Sequence, residues 1–315
     1  MNSRILNLSR ENNLRSKSNP SFGDLDQPAN YYLQTNNIEH RKGQLEKILK
    51  QDPRNADAIK ELAECFEIQG DMANTIQCYT SLFIINKNKE NTLNLADCCY
   101  DAGVYEMSLS CYKDALNIED LTRQETFEIY RRLGNIYVTL GDYEAAEVSY
   151  SQAQEIDERS DSLMVNLGTL ELRKDNLNES VNYFRKALSL NINNDKAWAG
   201  LGIVHREYGD NELALGNVMR ALDENVYNEI ATNLMIDICM SCAEPSRVLQ
   251  YVKTVYERYP IESFHLLLAQ LYHYSGHSQK AWIVINEHLK KYPHSSDAQK
   301  FREKIRICRE EFSDC

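Results

Sequence analysis

Between residues 31 and 295, small and apolar residues recur in a pattern that repeats about every 34 positions. One clear copy runs through Leu133–Tyr137 (LGNIY), continues across Gly141–Asp142 and ends with small residues at Ala146 and Ala153. Within each copy the apolar positions lie three or four residues apart, on either side of the turn. This spacing predicts two amphipathic helices joined by a short turn. The array therefore predicts an all-α chain built from helix pairs.

The turn between the two helices of each pair falls at positions 70, 103, 141, 175, 209, 242 and 276, which are 33 to 38 residues apart. The period and the apolar skeleton resemble the tetratricopeptide repeat, a 34-residue helix pair with the pattern W-x2-L-G-x2-Y…A-x3-F…P. Residues Trp198–Gly202 (WAGLG) carry the start of that pattern. The sixth copy departs most, because Cys242 replaces the turn glycine and Pro245 opens its second helix.

The resemblance implies an all-α fold of the alpha-alpha superhelix class, a right-handed tetratricopeptide solenoid. We expect a repeat array over residues 31–295, with a shortened unit at 31–55 and seven units near 56–88, 89–122, 127–160, 161–194, 195–227, 228–261 and 262–295. Residues 1–30 are expected to be a disordered segment, since they are polar and have no sustained apolar period. Residues 296–315 are expected to form a charged capping helix and tail, because repeat arrays need a polar end.

Two kinds of local signal support the helix boundaries. Pairs such as Gly141–Asp142 predict a left-handed residue that ends one helix and a carboxylate that caps the next. Thr122 and Glu125 have capping-box spacing. We therefore expect the helix after Thr122 to be about one turn longer than its equivalents, which accounts for the longer step before position 141.

Composition narrows the classes of partner. The chain has 315 residues, 43% apolar content, a net charge of −12 and a pI near 5.2. An acidic chain without clustered Lys and Arg argues against nucleic-acid binding, and no apolar run is long enough for membrane insertion. Several of its nine cysteines occupy repeated small-residue positions. We therefore expect buried free thiols and a reducing compartment, the cytoplasm.

An alternative location follows from the first residues. Basic residues there alternate with apolar ones, which is typical of a mitochondrial transit peptide. The basic residues concerned are Arg4, Arg10, Arg15 and Lys17. Disorder without a targeting role remains the other interpretation.

No motif indicates an enzyme, and we expect no cofactor and no metal. The spacing Cys239-x-x-Cys242 has no second cysteine pair, so structural thiols are favoured over a zinc or redox site. Five histidines lie between residues 265 and 294, but His273 and His277 are on either side of Gly276. We interpret the histidines as a polar surface cluster rather than as metal ligands.

The candidate site is the inner face of the first helices. In the repeat family, places 2, 5, 9, 12 and 13 of each first helix face a concave groove. These places are acidic in the first two units, basic in units three to five and nearly uncharged in the last two. We expect a peptide to bind at the basic centre through the following residues: Arg131, Asn135, Asn166, Arg173, Lys196 and Arg206.

Part of this centre resembles the carboxylate clamp with which some family members hold acidic C-terminal tails of chaperones. Arg131, Asn135, Asn166 and Lys196 match four clamp positions, with Arg for Lys at the first, and Gly200 stands at the fifth. An alternative is that the two asparagines are structural, since asparagine is common at these places of the repeat. The expected partner is a protein or peptide with an acidic or free C-terminal carboxylate.

Three functions remain open from the sequence. The favoured one is a non-enzymatic scaffold or adaptor that binds a peptide in its groove. The second is a structural subunit of a larger assembly, such as a transport, ciliary or secretion complex. The third is a chaperone cofactor that uses a partial carboxylate clamp.

Overall fold

The computed structural model describes the backbone of residues 28–241 and 245–313. Within this part of the chain every regular element is an α-helix, which confirms the all-α class. The expectations for residues 1–27 and for Cys242 lie outside the described residues. The assignment of repeat boundaries stays a prediction.

The described chain forms sixteen helices in succession. The first eight are α1 (Pro28–Gln51), α2 (Ala56–Gln69), α3 (Met72–Ile85), α4 (Lys89–Asp101), α5 (Tyr105–Ala115), α6 (Arg123–Leu140), α7 (Tyr143–Ile156) and α8 (Asp161–Arg173). The next eight are α9 (Leu177–Leu190), α10 (Asp195–Glu207), α11 (Asn211–Glu224), α12 (Glu229–Ser241), α13 (Pro245–Arg258), α14 (Glu262–Tyr274), α15 (Ser278–Lys291) and α16 (Ser296–Ser313).

The chain divides between Asn166 and Leu167, inside α8, into two compact units. We call them the N-terminal half and the C-terminal half and describe each by itself. In the N-terminal half, α2 packs on α3, α4 on α5 and α6 on α7, and each pair contacts the next. In the C-terminal half, the pairs α10–α11 and α14–α15 are the most closely packed, and α16 covers α15.

The turns within the helix pairs have the predicted chemistry. Gly70, Gly141 and Gly209 have φ angles of 71°, 81° and 79°, in the left-handed region that glycine adopts without a steric penalty. The aspartate after each glycine accepts a hydrogen bond from a backbone N–H in the first turn of the following helix. At the fourth turn Asp175 takes the same left-handed conformation, with φ of 65°. A non-glycine residue tolerates this conformation less well.

Close approach of paired helices depends on small residues at defined places. A Cβ added at Gly134 of α6 would come within 2.2 Å of the Tyr150 ring of α7. Likewise, a Cβ at Gly202 of α10 would lie 2.9 Å from the Val218 side chain of α11. Small residues at both places are therefore required for the close approach of the paired helices.

The capping box at the start of α6 is also confirmed. The Thr122 hydroxyl accepts from the Glu125 backbone N–H at 3.2 Å, and the Glu125 carboxylate accepts from the Thr122 N–H at 2.7 Å. With both groups satisfied, α6 begins early and reaches 18 residues, whereas α4 has 13. The extra turn accounts for the longer spacing in the sequence.

Candidate functional site

The first helices of the N-terminal half carry an exposed acidic face, as the sequence predicts. Its exposed carboxylates on α2 and α4 are Asp57, Glu64, Glu67, Glu90 and Asp101. Lys60 pairs with Glu90 at 2.5 Å across the two helices. Ile68 adds an apolar side chain that is 71% exposed. This face is therefore mixed, with acidic charge around one ion pair and one exposed apolar side chain.

Two buried tyrosines of the second helices donate hydrogen bonds to carboxylates on the first helices. The hydroxyl of Tyr79 donates to Glu67 at 2.8 Å, and that of Tyr112 donates to Asp97 at 2.5 Å. Burial, followed by the neighbouring carboxylate, raises the pKa of both tyrosines well above the usual range. Both hydroxyls therefore stay protonated and keep donating, so part of the acidic face is engaged inside the protein.

Arg132 is a residue of this surface that the repeat pattern does not single out. Its Nη1 lies 3.1 Å from Asp97 Oδ1 and donates to the Tyr112 hydroxyl at 3.1 Å, and its guanidinium lies over the Tyr100 ring at 5.4 Å. The group joins α6 to the α4–α5 pair. Asp97 therefore contributes less negative charge to the surface than its position in the sequence suggests.

Arg131 is more enclosed than expected for a ligand-binding residue. Its side chain is only 8% exposed, and its Nε and Nη2 both donate to the carboxylate of Glu128, at 3.1 Å and 2.6 Å. Nη1 is buried and has no hydrogen-bond partner among the described residues. The three-residue spacing of Glu128 and Arg131 on one helix face was available in the sequence as a signal for this pair.

Asn135 lies one turn beyond Arg131 on α6 and is 2% exposed. Its Nδ2 donates to the Tyr100 hydroxyl at 3.1 Å, and its Oδ1 accepts from the Tyr150 hydroxyl at 2.7 Å. The amide thus links α4, α6 and α7 through buried bonds. This geometry agrees with the structural alternative for the residue, and a ligand would have to displace one of these bonds to reach it.

The remaining predicted site residues differ in exposure. Asn166 is 4% exposed and closes the N-terminal half. Arg173, Lys196 and Arg206 belong to the C-terminal half, and all three are half-buried. Arg206 Nη1 approaches Asn211 Oδ1 at 3.5 Å. The six predicted residues therefore form two groups, one in each half.

Gly200 shows why the clamp resemblance stops at four positions. A Cβ at Gly200 would lie 2.4 Å from the Phe184 ring, which is fully buried. A basic side chain at this place would have to displace that aromatic ring from the core. The glycine is therefore required by helix packing, and the fifth clamp residue is missing for a structural reason.

The described residues show no grouping of three His, Cys, Asp or Glu side chains suited to a metal ion. Cys239 is buried on α12, whereas Cys242 lies outside the described residues. Every helix in the described part of the chain is too short or too polar to span a lipid bilayer.

Paired helices packed in series, with charged side chains along the first helices, define a helical repeat scaffold. Residues 88–159 and 162–194 match two family models, each described as a tetratricopeptide repeat. Solved tetratricopeptide structures resemble the chain as well. The chain therefore carries tetratricopeptide repeats at residues 88–159 and 162–194, and its fold is of the predicted alpha-alpha superhelix class. This family typically provides non-enzymatic scaffolds for protein–protein interaction.

One relative in sequence is the BBSome complex member BBS4 of Bos taurus, 22% identical over 166 residues. The match covers 51% of this chain and 31% of that protein. Among solved structures, yeast Tom70 has a TM-score of 0.64 and 13% identity, over 90% of this chain and 62% of that chain. The chain thus spans less than two thirds of either protein.

A second solved structure is PilW, described as a widely conserved type IV pilus biogenesis factor. Its TM-score is 0.51 and its identity is 22%, over 69% of this chain and 99% of that chain. At these identities the similarity to solved structures establishes the fold alone.

Proposed function

We propose that this chain is a non-enzymatic scaffold that binds a partner protein through a segment carrying a carboxylate. The observation that carries this assignment is the state of Arg131. Its guanidinium is buried and already pairs with the carboxylate of Glu128, but Nη1 has no acceptor among the described residues. A buried donor without an acceptor is costly, by about 1–3 kcal/mol. A partner carboxylate that displaces or joins Glu128 would satisfy that nitrogen.

Lys196 and Arg206 in the C-terminal half provide further positive charge for the same kind of segment. Asn135 has a structural part in this proposal, because its amide holds Tyr100 and Tyr150 in place beside Arg131. We propose the cytoplasm as the location. Five cysteines with buried free thiols support a reducing compartment: Cys65, Cys78, Cys98, Cys99 and Cys111.

The test is affinity capture from native lysate with the wild type and with the Arg131→Ala/Lys196→Ala double variant. We expect the double variant to lose the partner. The matched control is Arg159→Ala/Lys186→Ala, which removes two exposed positive charges elsewhere. Equal capture by wild type and double variant, with equal melting temperatures, would contradict the proposal.

A second stage identifies the chemistry of contact. A synthetic peptide from the captured partner is titrated with its C-terminus free, and again with it amidated. If Arg131 binds a terminal carboxylate, amidation weakens binding by about 1–3 kcal/mol, and Arg131→Ala makes the two peptides equivalent. If Arg131 instead binds an internal acidic residue of the peptide, amidation should leave the affinity unchanged. Arg131→Ala should still bind the peptide more weakly than the wild type.

A second candidate function is a structural subunit of a larger assembly. The similarity to BBSome complex member BBS4 supports this candidate. In size-exclusion chromatography of native lysate, a subunit would elute as part of a large complex. When purified alone, it would self-associate. An adaptor would be monomeric when pure and would bind its partner reversibly.

A further inference from the structure

A cluster of four aromatic rings, two of them histidines, lies inside the C-terminal half. Tyr256 of α13 stacks on His265 of α14, with ring centroids 4.5 Å apart and an angle of 11° between the ring planes. His265 lies 5.3 Å from His288 of α15, and His288 lies 5.1 Å from Tyr292. We call these four residues the histidine cluster. It forms one continuous contact from α13 across α14 to the end of α15.

Three ring nitrogens of the cluster lack hydrogen-bond partners among the described residues. His265 is 5% exposed and His288 is fully buried. Nδ1 of both rings and Nε2 of His288 are buried without a hydrogen bond to any described residue. A protonated imidazole has two N–H donors and a full charge, whereas a neutral one has a single donor. The surroundings therefore suit the neutral form far better than the cation.

The charges around the cluster reinforce this preference. Lys291 on α15 and the His288 ring both disfavour a positive charge on His265. On α14, Glu262 Oε1 lies 3.7 Å from His288 Nε2, but the Glu262 side chain is 49% exposed. The α13 member of the cluster is Tyr256, which stacks on His265. Glu287 of α15 also lies near Tyr256. Two solvent-exposed carboxylates, Glu262 and Glu287, thus lie near two buried imidazoles and a lysine.

We propose that the histidine cluster is an acid-sensitive latch that holds the α14–α15 pair against α13. In the neutral state the rings pack as apolar surfaces and join the three helices. Protonation places a poorly solvated cation at His265, beside His288 and Lys291, and the rings separate to gain water. The α14–α15 pair then loosens from α13 and uncovers Val248 and Val252, which are buried in the structure.

The direction of the pH effect follows from the two histidines. Burial, and then His288 and Lys291, lowers the pKa of His265 to about 4, and burial lowers the pKa of His288 against the opposing effect of Glu262. Unfolded histidine titrates near 6.5. The open state therefore binds more protons, and the latch weakens as the pH falls from about 6.5 towards about 4.

The test is amide hydrogen exchange of the full-length protein, corrected for the intrinsic effect of pH. Between about pH 7 and about pH 4.5 we expect protection in α13–α15 to fall by more than about tenfold. The helices α4–α7 provide the reference within the same molecule. The double variant His265→Phe/His288→Leu should keep its α13–α15 protection at the lower pH, whereas His277→Gln, a change at an exposed histidine, should behave as the wild type.

A further variant, Glu262→Gln, removes the carboxylate that lies 3.7 Å from His288 and therefore tests its part in the latch. We expect this variant to lose α13–α15 protection more steeply on acidification than the wild type. Constant protection in the wild type, or an equal loss in the double variant, would overturn the latch.

A second measurement applies if the double variant does not fold. Imidazole titration of the wild type by NMR should show that His265 and His288 stay neutral below about pH 6.5 and that their protonation coincides with opening of α13–α15. Titration of His265 and His288 at about pH 6.5 would equally rule out the latch. The latch stands apart from the proposed function, because it concerns the protein without any partner.

Discussion

Single residues at the helix crossings determine how closely the paired helices approach. Gly134 is in van der Waals contact with the fully buried Tyr150, whose hydroxyl reaches Asn135 on the same helix as the glycine. The tyrosine can fill this place only because the glycine has no side chain. Gly216 in α11, by contrast, has no atom within 4 Å of the position where a Cβ would lie.

Gly134→Ala should therefore destabilise the protein, by about 1–3 kcal/mol, since the new methyl group overlaps the Tyr150 ring in a filled core. Gly216→Ala is the matched control and should stabilise by about 0.5–1 kcal/mol through helix propensity alone. Urea denaturation followed by circular dichroism measures both. If Gly134→Ala were neutral, the close contact with Tyr150 would be wrong.

The helices differ in how well they are capped, and the differences follow the residue at each turn. Asp71, Asp142 and Asp210 each cap the second helix of a pair with a side-chain hydrogen bond. At the equivalent place before α5, Val104 has similar backbone angles, φ of −86° and ψ of 69°, but no side-chain bond to the helix. The start of α5 therefore lacks the side-chain cap that these three aspartates provide.

Val104→Asp should add the missing cap and raise the free energy of unfolding by about 1 kcal/mol, because the backbone already has the capping geometry. Val148→Asp introduces the same residue at an exposed position inside α7 and should give no gain. Thermal denaturation of the two variants separates capping from a general effect of charge. A gain of equal size in both would count against the explanation.

The last helix covers the apolar end of the C-terminal half. Ala298, Phe301 and Ile305 of α16 pack on a cluster that includes Ala281 and Ile285 of α15. The opposite side of α16 carries exposed charged residues, among them Lys300 and Arg302. One apolar and one charged side is the arrangement expected of a capping helix, and the assignment of residues 296–315 as a cap stays a prediction.

Phe301→Glu should detach α16 and expose the α15 surface, since a buried aromatic is replaced by a charge at a cost of about 3–5 kcal/mol. We expect concentration-dependent self-association, measured by light scattering coupled to size exclusion. Arg302→Glu, at the neighbouring exposed position, should remain as soluble as the wild type. Self-association of both variants would point to surface charge rather than to the loss of the cap.

The sequence by itself determined the helix pairs, their turns and their caps. These features depend on residues close together in the chain, such as Thr122 with Glu125 or Gly141 with Asp142, so a 34-residue period is enough to predict them. Small residues also recur at fixed places in the sequence, but only the structure shows that Gly134 and Gly202 lie where paired helices cross.

Only the tertiary structure decided which polar side chains are already hydrogen-bonded within the protein and which remain accessible to a partner. Glu67, Asp97 and Asn135 have similar places in their repeats, yet each is bound by a tyrosine from another helix. Arg132, on a helix outside the pair that carries Asp97, reduces the net negative charge of the surface. Such contacts join residues from separate helices. The hydrogen bonds and the local charge of each residue therefore depend on which side chains of other helices pack against it. The chain pattern therefore specifies which residues are predicted to line a groove, and packing specifies which of their polar groups remain accessible.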